Sequence, residues 1–313
     1  MINSEPIQNN EILVSIRCLT YNHAPFIRQC LDGFVMQKTN FRFEAIVHDD
    51  ASTDESASII REYAEKYPDI IKPILETENQ YSKHDGSLGR IINSHMRGKY
   101  VAMCEGDDYW TDPYKLQKQV DFLESHPDYV MCSHRNNTYF DGQGKMLVCE
   151  DQSEVVYSLN DLIRGQWYFH PLTVVYRRCC YDAGEYALYP VSMDAVLFFH
   201  LLKKGKGICL ADNMAVYRIH DGGVWSKVGL DKQSLQEFRA RLGIYQVEKS
   251  REAALFLLSL YAKALSRGWM YKNKRMIMQS FRIFNRHFGF IKTLKIFFDK
   301  VLMNRLVNLN DFV

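Results

Sequence analysis

Along the first hundred residues, short continuous apolar runs alternate with stretches of helical spacing. Ile12 to Leu19 is a β-rich apolar run ending at Thr20-Tyr21-Asn22, the pattern of a buried strand running into a loop. Pro25 opens a predicted helix over 26–36, in which Phe26, Ile27, Cys30, Leu31 and Phe34 recur at helical spacing. A second strand, Phe43 to His48, runs into Asp49-Asp50-Ala51-Ser52-Thr53-Asp54, small polar residues that suit a turn and a helix cap. The pattern then predicts a helix over 56–67 stopped near Pro68, a strand over 70–75, a helix over 88–97 and a strand over 100–104. Strands alternating with helices imply a mostly parallel sheet with right-handed crossovers. Past Pro113 come a predicted helix over 115–125, a strand over 129–133, a turn over 141–144 and a helix over 194–203. Short strands are predicted over 172–176, 207–210 and 214–219. From about Leu235 onward the pattern is almost entirely helical.

The tail changes the picture of what the chain touches. Its apolar run over 253–262 is too short to span a bilayer. Further on, Ile277, Phe281, Phe284, Phe288, Ile291, Leu294, Phe298 and Leu302 keep three-and-four spacing. Arg282, Arg286, Lys292, Lys295 and Lys300 interleave on other faces, the pattern of a basic amphipathic helix. Two readings stand open: the stripe packs on the rest of the protein, or residues 277–302 make a peripheral contact with a membrane. The formal net charge of +2 hides the asymmetry, since residues 228–313 hold about sixteen Lys/Arg against about six Asp/Glu and the remainder is acidic. That split suggests a main domain over 1–227 and a basic helical extension over 228–313. A nucleic-acid binder would spread basic charge over its main domain, so nucleic acid is not an expected partner.

A composition of 47% hydrophobic and 24% charged residues describes a globular chain. Met1 to Asn10 is polar, without an apolar signal region, so the expected location is cytoplasmic, with the inner face of the cell membrane as the place for an amphipathic tail. Eight scattered cysteines, without C-x-x-C spacing, read as reduced thiols. Adjacent Cys179 and Cys180 rarely meet disulfide geometry.

In open α/β sheets ligands bind beyond the carboxyl ends of the strands, and here those ends carry Thr20-Tyr21-Asn22, Asp49-Asp50 and Glu105-Gly106-Asp107-Asp108. The last group crowds carboxylates together, which a divalent cation would offset; oxygen ligands alone favour Mg²⁺ or Mn²⁺. A solvated acidic turn capped by Asp108 is the alternative. In the Asp49-Asp50 pair one carboxylate can accept hydrogen bonds from a base or ribose, with a capping turn as the alternative. Neither G-x-G-x-x-G nor G-x-x-x-x-G-K-[ST] follows the first strand, which disfavours dinucleotide enzymes and phosphate-loop NTPases.

Four stretches in this order resemble the family 2 glycosyltransferases of the GT-A fold. They are Leu13-Val-Ser-Ile with Thr20-Tyr21-Asn22, Val47-His-Asp-Asp-Ala-Ser-Thr-Asp54, Glu105-Gly-Asp-Asp-Tyr-Trp110 and Tyr217-Arg-Ile-His-Asp-Gly-Gly223. The resemblance covers about residues 11 to 225. It implies an α/β fold, a GT-A type nucleotide-binding sheet sandwiched by helices, with a C-terminal helical extension. It further implies an inverting, Mn²⁺- or Mg²⁺-dependent enzyme of bacterial surface-polysaccharide assembly. Such an enzyme moves a sugar from a nucleotide-diphosphate sugar, UDP-sugar being favoured, to a hydroxyl of a glycan or lipid-linked acceptor.

By position, Asp50 matches the acid that contacts the base, beside Asp49, and Thr20, Tyr21 and Asn22 line the same pocket. Asp107 and Asp108 match the motif holding ribose and metal, Asp108 being the metal ligand, and Glu105 stands where many members have Asp. Asn79, Gln80, Tyr81 and Arg90 fall on the nucleotide side of the cleft. Asp194 aligns with the catalytic base, with helix capping as its other reading and Asp182 as the other candidate. His220 lies on the loop that closes over the diphosphate and can touch the metal, and Arg218 meets phosphate or steadies that loop. Two other classes compete. One is a non-catalytic nucleotide-sugar or glycan-binding module; the other is a sugar nucleotidyltransferase, which usually needs a Gly-rich basic loop that Thr20-Tyr-Asn-His-Ala-Pro25 does not supply.

Overall fold

A computed structural model describes residues 11–191, 193–223, 229–263 and 274–297. The polar start Met1–Asn10, the domain boundary expected at 227 and the stripe residues Phe298 and Leu302 lie outside the described residues. By internal contacts the chain forms two units. The first comprises residues up to Val155, Phe169–Cys180 and Ile208–Ile219; the second comprises Val156–Tyr168, Tyr181–Gly207 and the residues from His220 on.

The first unit begins with strand β1 (Ile12–Thr20), helix α1 (Ile27–Val35), strand β2 (Arg42–Asp49), helix α2 (Ser56–Lys66) and strand β3 (Ile71–Leu75). Helix α3 (Ser87–His95), strands β4 (Tyr100–Met103) and β5 (Tyr109–Trp110) and helix α4 (Lys115–Ser125) follow. Next come β6 (Tyr129–Phe140), β7 (Lys145–Leu147), β8 (Val155–Tyr157), whose Val156 and Tyr157 belong to the second unit, β9 (Val175–Arg177) and β10 (Lys206–Ile219), which is part of the first unit from Ile208 on. Through the centre the strand order is β3-β2-β1-β4-β9-β6-β10-β5, with β7 paired to β6. Val14, Ile16, Cys18, Ala45 and Val47 are fully buried in a core shared with Ile27, Leu31 and Phe34 of α1 and Ile60 of α2. Strands covered on both faces read as unbroken apolar runs, which is why β1 and β2 were plain in the sequence.

The strands of the first hundred residues pair in parallel as expected, and the strands after them add antiparallel pairs. β3, β2, β1 and β4 are parallel, but β9 pairs antiparallel with both β4 and β6, and β5 pairs antiparallel with β10. The predicted strands over 207–210 and 214–219 are one strand. The half-exposed Ala211-Asp212-Asn213 interrupts its apolar pattern while the backbone stays extended. β6 likewise runs seven residues past the predicted 129–133, because its second half is only part-buried and carries little apolar signal. The strand expected over 172–176 opens instead as a 3-10 turn, Pro171–Thr173, before β9.

The second unit holds helices α5 (Leu159–Arg164), α6 (Ala183–Tyr186), α7 (Asp194–Leu202), α8 (Leu230–Glu248), α9 (Arg251–Lys263), α10 (Lys274–Phe288) and α11 (Phe290–Phe297). Ala195 to Leu202 are all buried, as befits a helix with apolar residues all round. α7 packs on α8, and α9 packs against α5, α8 and α10. The buried Arg241 donates to the Phe256 carbonyl at 3.0 Å and to the Ser259 hydroxyl, tying α8 to α9. The amphipathic stripe predicted as one helix is divided. Gly289, at φ +81°, ends α10, and α11 restarts with a new facing: Phe284 is buried, whereas Ile291 and Leu294 are exposed.

Candidate active site

The parallel half of the sheet sets its strand ends side by side. Thr20 pairs with Asp49 across β1 and β2, and beyond β4 the chain still follows β1, the Gly106 N–H donating to the Leu19 carbonyl at 2.9 Å. Three loops, after β1, β2 and β4, therefore leave from one edge, as expected for a crevice at strand carboxyl ends.

The first two loops are stitched together by side chains. Ser52 Oγ donates to Asp49 Oδ1 at 2.5 Å and accepts from the Asn22 N–H at 2.9 Å, while Asn22 Oδ1 accepts from the Thr53 N–H at 2.8 Å. The His23 N–H donates to Ser56 Oγ at 2.8 Å, and the Ala24 N–H to Asp54 Oδ2 at 2.9 Å. Asp54 Oδ1 accepts from the Ser56 N–H at 2.9 Å at the start of α2, whose cap position is held by Glu55. Asp50 turns the other way. Its Oδ1 accepts from the Gln80 N–H at 2.7 Å and its Oδ2 from the Tyr81 N–H at 3.0 Å, while Asn79 Nδ2 reaches the Asp50 carbonyl at 3.1 Å. One buried carboxylate thus fixes the loop over 79–81. Asn22 and Ala51 sit at φ +56° and +61°. For alanine this region is costly, by about 1–3 kcal/mol, and such strain concentrates where a loop's shape is used.

The third loop carries the acidic group. Glu105 folds back on β1, its Oε1 beside Arg17 Nη1 at 3.3 Å and its Oε2 accepting from the Leu19 N–H at 3.2 Å. Gly106 permits the close approach, since a Cβ there would lie 2.5 Å from Thr20 Oγ1. Asp107 Oδ2 faces His23 Nε2 at 3.8 Å. Asp108 is buried, its Oδ1 accepting from the Arg218 N–H on β10 at 2.8 Å, so it is no solvated turn. Burial, together with the neighbouring charges of Asp107 and Glu105, pushes its carboxyl well above the ordinary range. Perturbation of this kind is a mark of functional sites.

Arg218 locks the arrangement. Its Nε donates to the Asp107 carbonyl at 2.9 Å and its Nη2 to Gln29 Oε1 at 2.6 Å, and its guanidinium lies over the rings of Phe26, Tyr109 and Tyr139. Chain connectivity then keeps His220, two residues on, within about 7 Å of Arg218 from Cα to Cα.

Thr20, Tyr21, Asn22, Asp49, Asp50, Asn79, Gln80, Glu105, Asp107, Asp108 and Arg218 are therefore grouped in the first unit. Arg90 is exposed on α3 with its Nη1 donating to the Asp85 carbonyl at 2.7 Å. Asp194 and His220 belong to the second unit. Asp194 is the exposed first residue of α7, and Met193, not Asp194, holds the cap position. Asp182, the other candidate base, caps α6, its Oδ1 accepting from the Glu185 N–H at 2.8 Å. The buried His220 ring accepts from the Gly222 N–H at Nδ1, 3.1 Å away.

Sequence reasoning passed over His23 and Gln29. His23 directly follows Thr20-Tyr21-Asn22 and was open to notice. Gln29 gave no signal, because its partner lies 189 positions away in the chain.

As metal donors, the Asp107 carboxylate and the His23 imidazole, which face each other, are hard and intermediate groups suited to Mn²⁺ or Mg²⁺. A cation would offset the burial and the neighbouring negative charge that raise the Asp108 carboxyl.

Comparison with known proteins gives the family. Residues 15–181 match the family described as glycosyl transferase family 2, and the chain belongs to that family. An uncharacterised protein of Mycobacterium tuberculosis, Rv1520, is 37% identical over 227 residues, 72% of this chain and 64% of its own length. The chain's match thus spans just under two thirds of that relative. An uncharacterised glycosyltransferase of Nostoc, alr2836, is 26% identical over 281 residues, 85% of this chain and 83% of its own. Among solved structures, S. aureus TarS in complex with UDP-GlcNAc shares the fold with a TM-score of 0.63 at 18% identity, over 88% of this chain and 80% of that one. The fold is of the GT-A type.

Proposed function

We propose that the chain transfers a sugar, with inversion, from a UDP-sugar to a hydroxyl of a glycan or lipid-linked acceptor, and that transfer depends on Mn²⁺ or Mg²⁺. The observation that carries the reading is Asp108: a buried carboxyl with its charge disfavoured, held by a backbone N–H beside Asp107 at the parallel strand ends. The UDP-GlcNAc bound to TarS supports the uridine donor.

In this reading Thr20, Tyr21, Asn22, Asp49 and Asp50, with Asn79 and Gln80, hold the nucleoside, and Asp107 orients the ribose. Asp108 and His220 hold the divalent ion, with His23 as an added ligand or a partner of Asp107. When bound, the ion offsets negative charge on the departing diphosphate. Asp194, exposed at the start of α7, takes the proton from the acceptor hydroxyl as its oxygen attacks the anomeric carbon. The new glycosidic bond forms as the bond to the diphosphate oxygen breaks, and UDP leaves. Glu105, occupied by Arg17 and the Leu19 N–H, shapes the loop without touching the ion.

Transfer of labelled sugar from a panel of nucleotide sugars to a bacterial membrane extract tests the proposal. The expected result is Mn²⁺- or Mg²⁺-dependent transfer, greatest with a UDP-sugar, and a loss on the order of a hundredfold or more in Asp108→Ala. Near-normal transfer by that variant in the presence of chelator would remove the metal from the scheme.

A further inference from the structure

The tail helix α11 has two apolar sides. Thr293 and Ile296 are buried within the second unit, yet Phe290, Ile291 and Leu294 are 58%, 83% and 45% exposed. At 3.6 residues per turn the two sets are centred roughly 135° apart around the axis. A helix that only packed on its own unit would turn polar residues to that outer side. Around this face the charge is of one sign: Lys274 to Phe297 contains six Lys/Arg and no Asp or Glu. Lys292 and Lys295, both exposed, lie on the flank next to Ile291.

We propose that the outer face of α11 docks on an anionic lipid surface, with Phe290, Ile291 and Leu294 entering the headgroup boundary and the basic residues of α10 and α11 meeting lipid phosphates. A row of exposed aliphatic and aromatic side chains with basic residues beside it, and no acidic one among the described residues of α10 and α11, needs no shaped partner, and this is the chemistry by which interfacial helices bind. Gly289 matters because it rotates the stripe: upstream of it Phe284 points into the protein, and downstream of it Ile291 and Leu294 point outward. No helix among the described residues is long and apolar enough to cross a membrane, so the contact is one of lying on the surface.

The inference stands apart from sugar transfer and is tested without activity. Full-length protein is floated with phosphatidylglycerol-containing vesicles and with phosphatidylcholine vesicles. Wild type should float with the anionic vesicles, less so in high salt, and stay behind with the neutral ones. Ile291→Asp with Leu294→Asp should weaken partitioning by about tenfold or more, the scale of withdrawing two aliphatic side chains from an apolar phase. Its thermal melt should be unchanged because both side chains already face water. Lys292→Gln with Lys295→Gln, which leaves the apolar face intact, should lower anionic binding and flatten its salt dependence. Failure of wild type to float, or equal flotation of wild type and both variants, overturns the proposal. So does a wild-type dimer in sedimentation that Ile291→Asp dissociates without any vesicle binding, since the face would then seat a second copy.

Discussion

At the scale of single residues, Asp108 is held where its charge is least welcome, and that tension is testable through stability. Burial and the neighbouring carboxylates raise its value above that of an unfolded aspartate. The folded state therefore holds the proton to higher pH than the unfolded chain does. Its contribution to stability is full below the ordinary carboxylate range and is lost as pH rises through the raised value. Asparagine keeps an oxygen for the Arg218 N–H and removes the titration. In chelated protein, Asp108→Asn is therefore expected to melt higher than wild type at neutral pH, with the gap closing as pH falls toward the ordinary range of aspartate. Added Mn²⁺ should raise the wild-type melt and leave the variant unmoved. A variant less stable than wild type at neutral pH would mean that Asp108 is structural.

At the scale of elements, the turn after β10 turns on one small residue. A Cβ on Gly222 would lie 2.8 Å from both Cε1 and Nδ1 of His220, so alanine there must displace the ring. Gly222→Ala should raise the Mn²⁺ concentration needed for half-maximal transfer by about tenfold, the usual scale for disturbing a ligand's support, with little change in the melt. Unchanged metal dependence would take His220 out of the ion's reach. Which elements were legible follows from burial. β1, β2 and β4, with α1 and α2, are buried along continuous runs or one helical face and were read nearly to the residue. The Asp107-Asp108 motif was legible because carboxylates after an apolar strand have few other uses. β5 was not, since two residues inside that motif become a strand only through pairing with β10 more than a hundred positions away. The outward half of β6, the polar centre of β10 and the break at Gly289 were hidden likewise: half-exposed strands lose their alternation, and a single glycine in a helical pattern does not announce its φ.

At the scale of the whole molecule, the proposed roles divide between the two units. The first carries nearly every residue assigned to the nucleotide, from Thr20 through Asp50 to Asp108 and Arg218, whereas Asp194 and His220 lie in the second. If donor binding and proton removal are separable, variants should separate them too. UDP with Mn²⁺ at about a hundred times its Kd should stabilise wild type by about 2.7 kcal/mol, a shift of several degrees in the melt. Asp194→Asn should keep that shift in full while losing transfer by about a hundredfold or more, because a general base touches the acceptor and not the nucleotide. Asp50→Ala should lose both, since its carboxylate holds the Gln80 and Tyr81 N–H groups and with them the loop on the nucleotide side. A full UDP shift with undiminished transfer in Asp194→Asn would reassign the base to another residue of the second unit. Loss of the shift in Asp194→Asn alone would instead make that aspartate a donor ligand and leave proton removal unassigned.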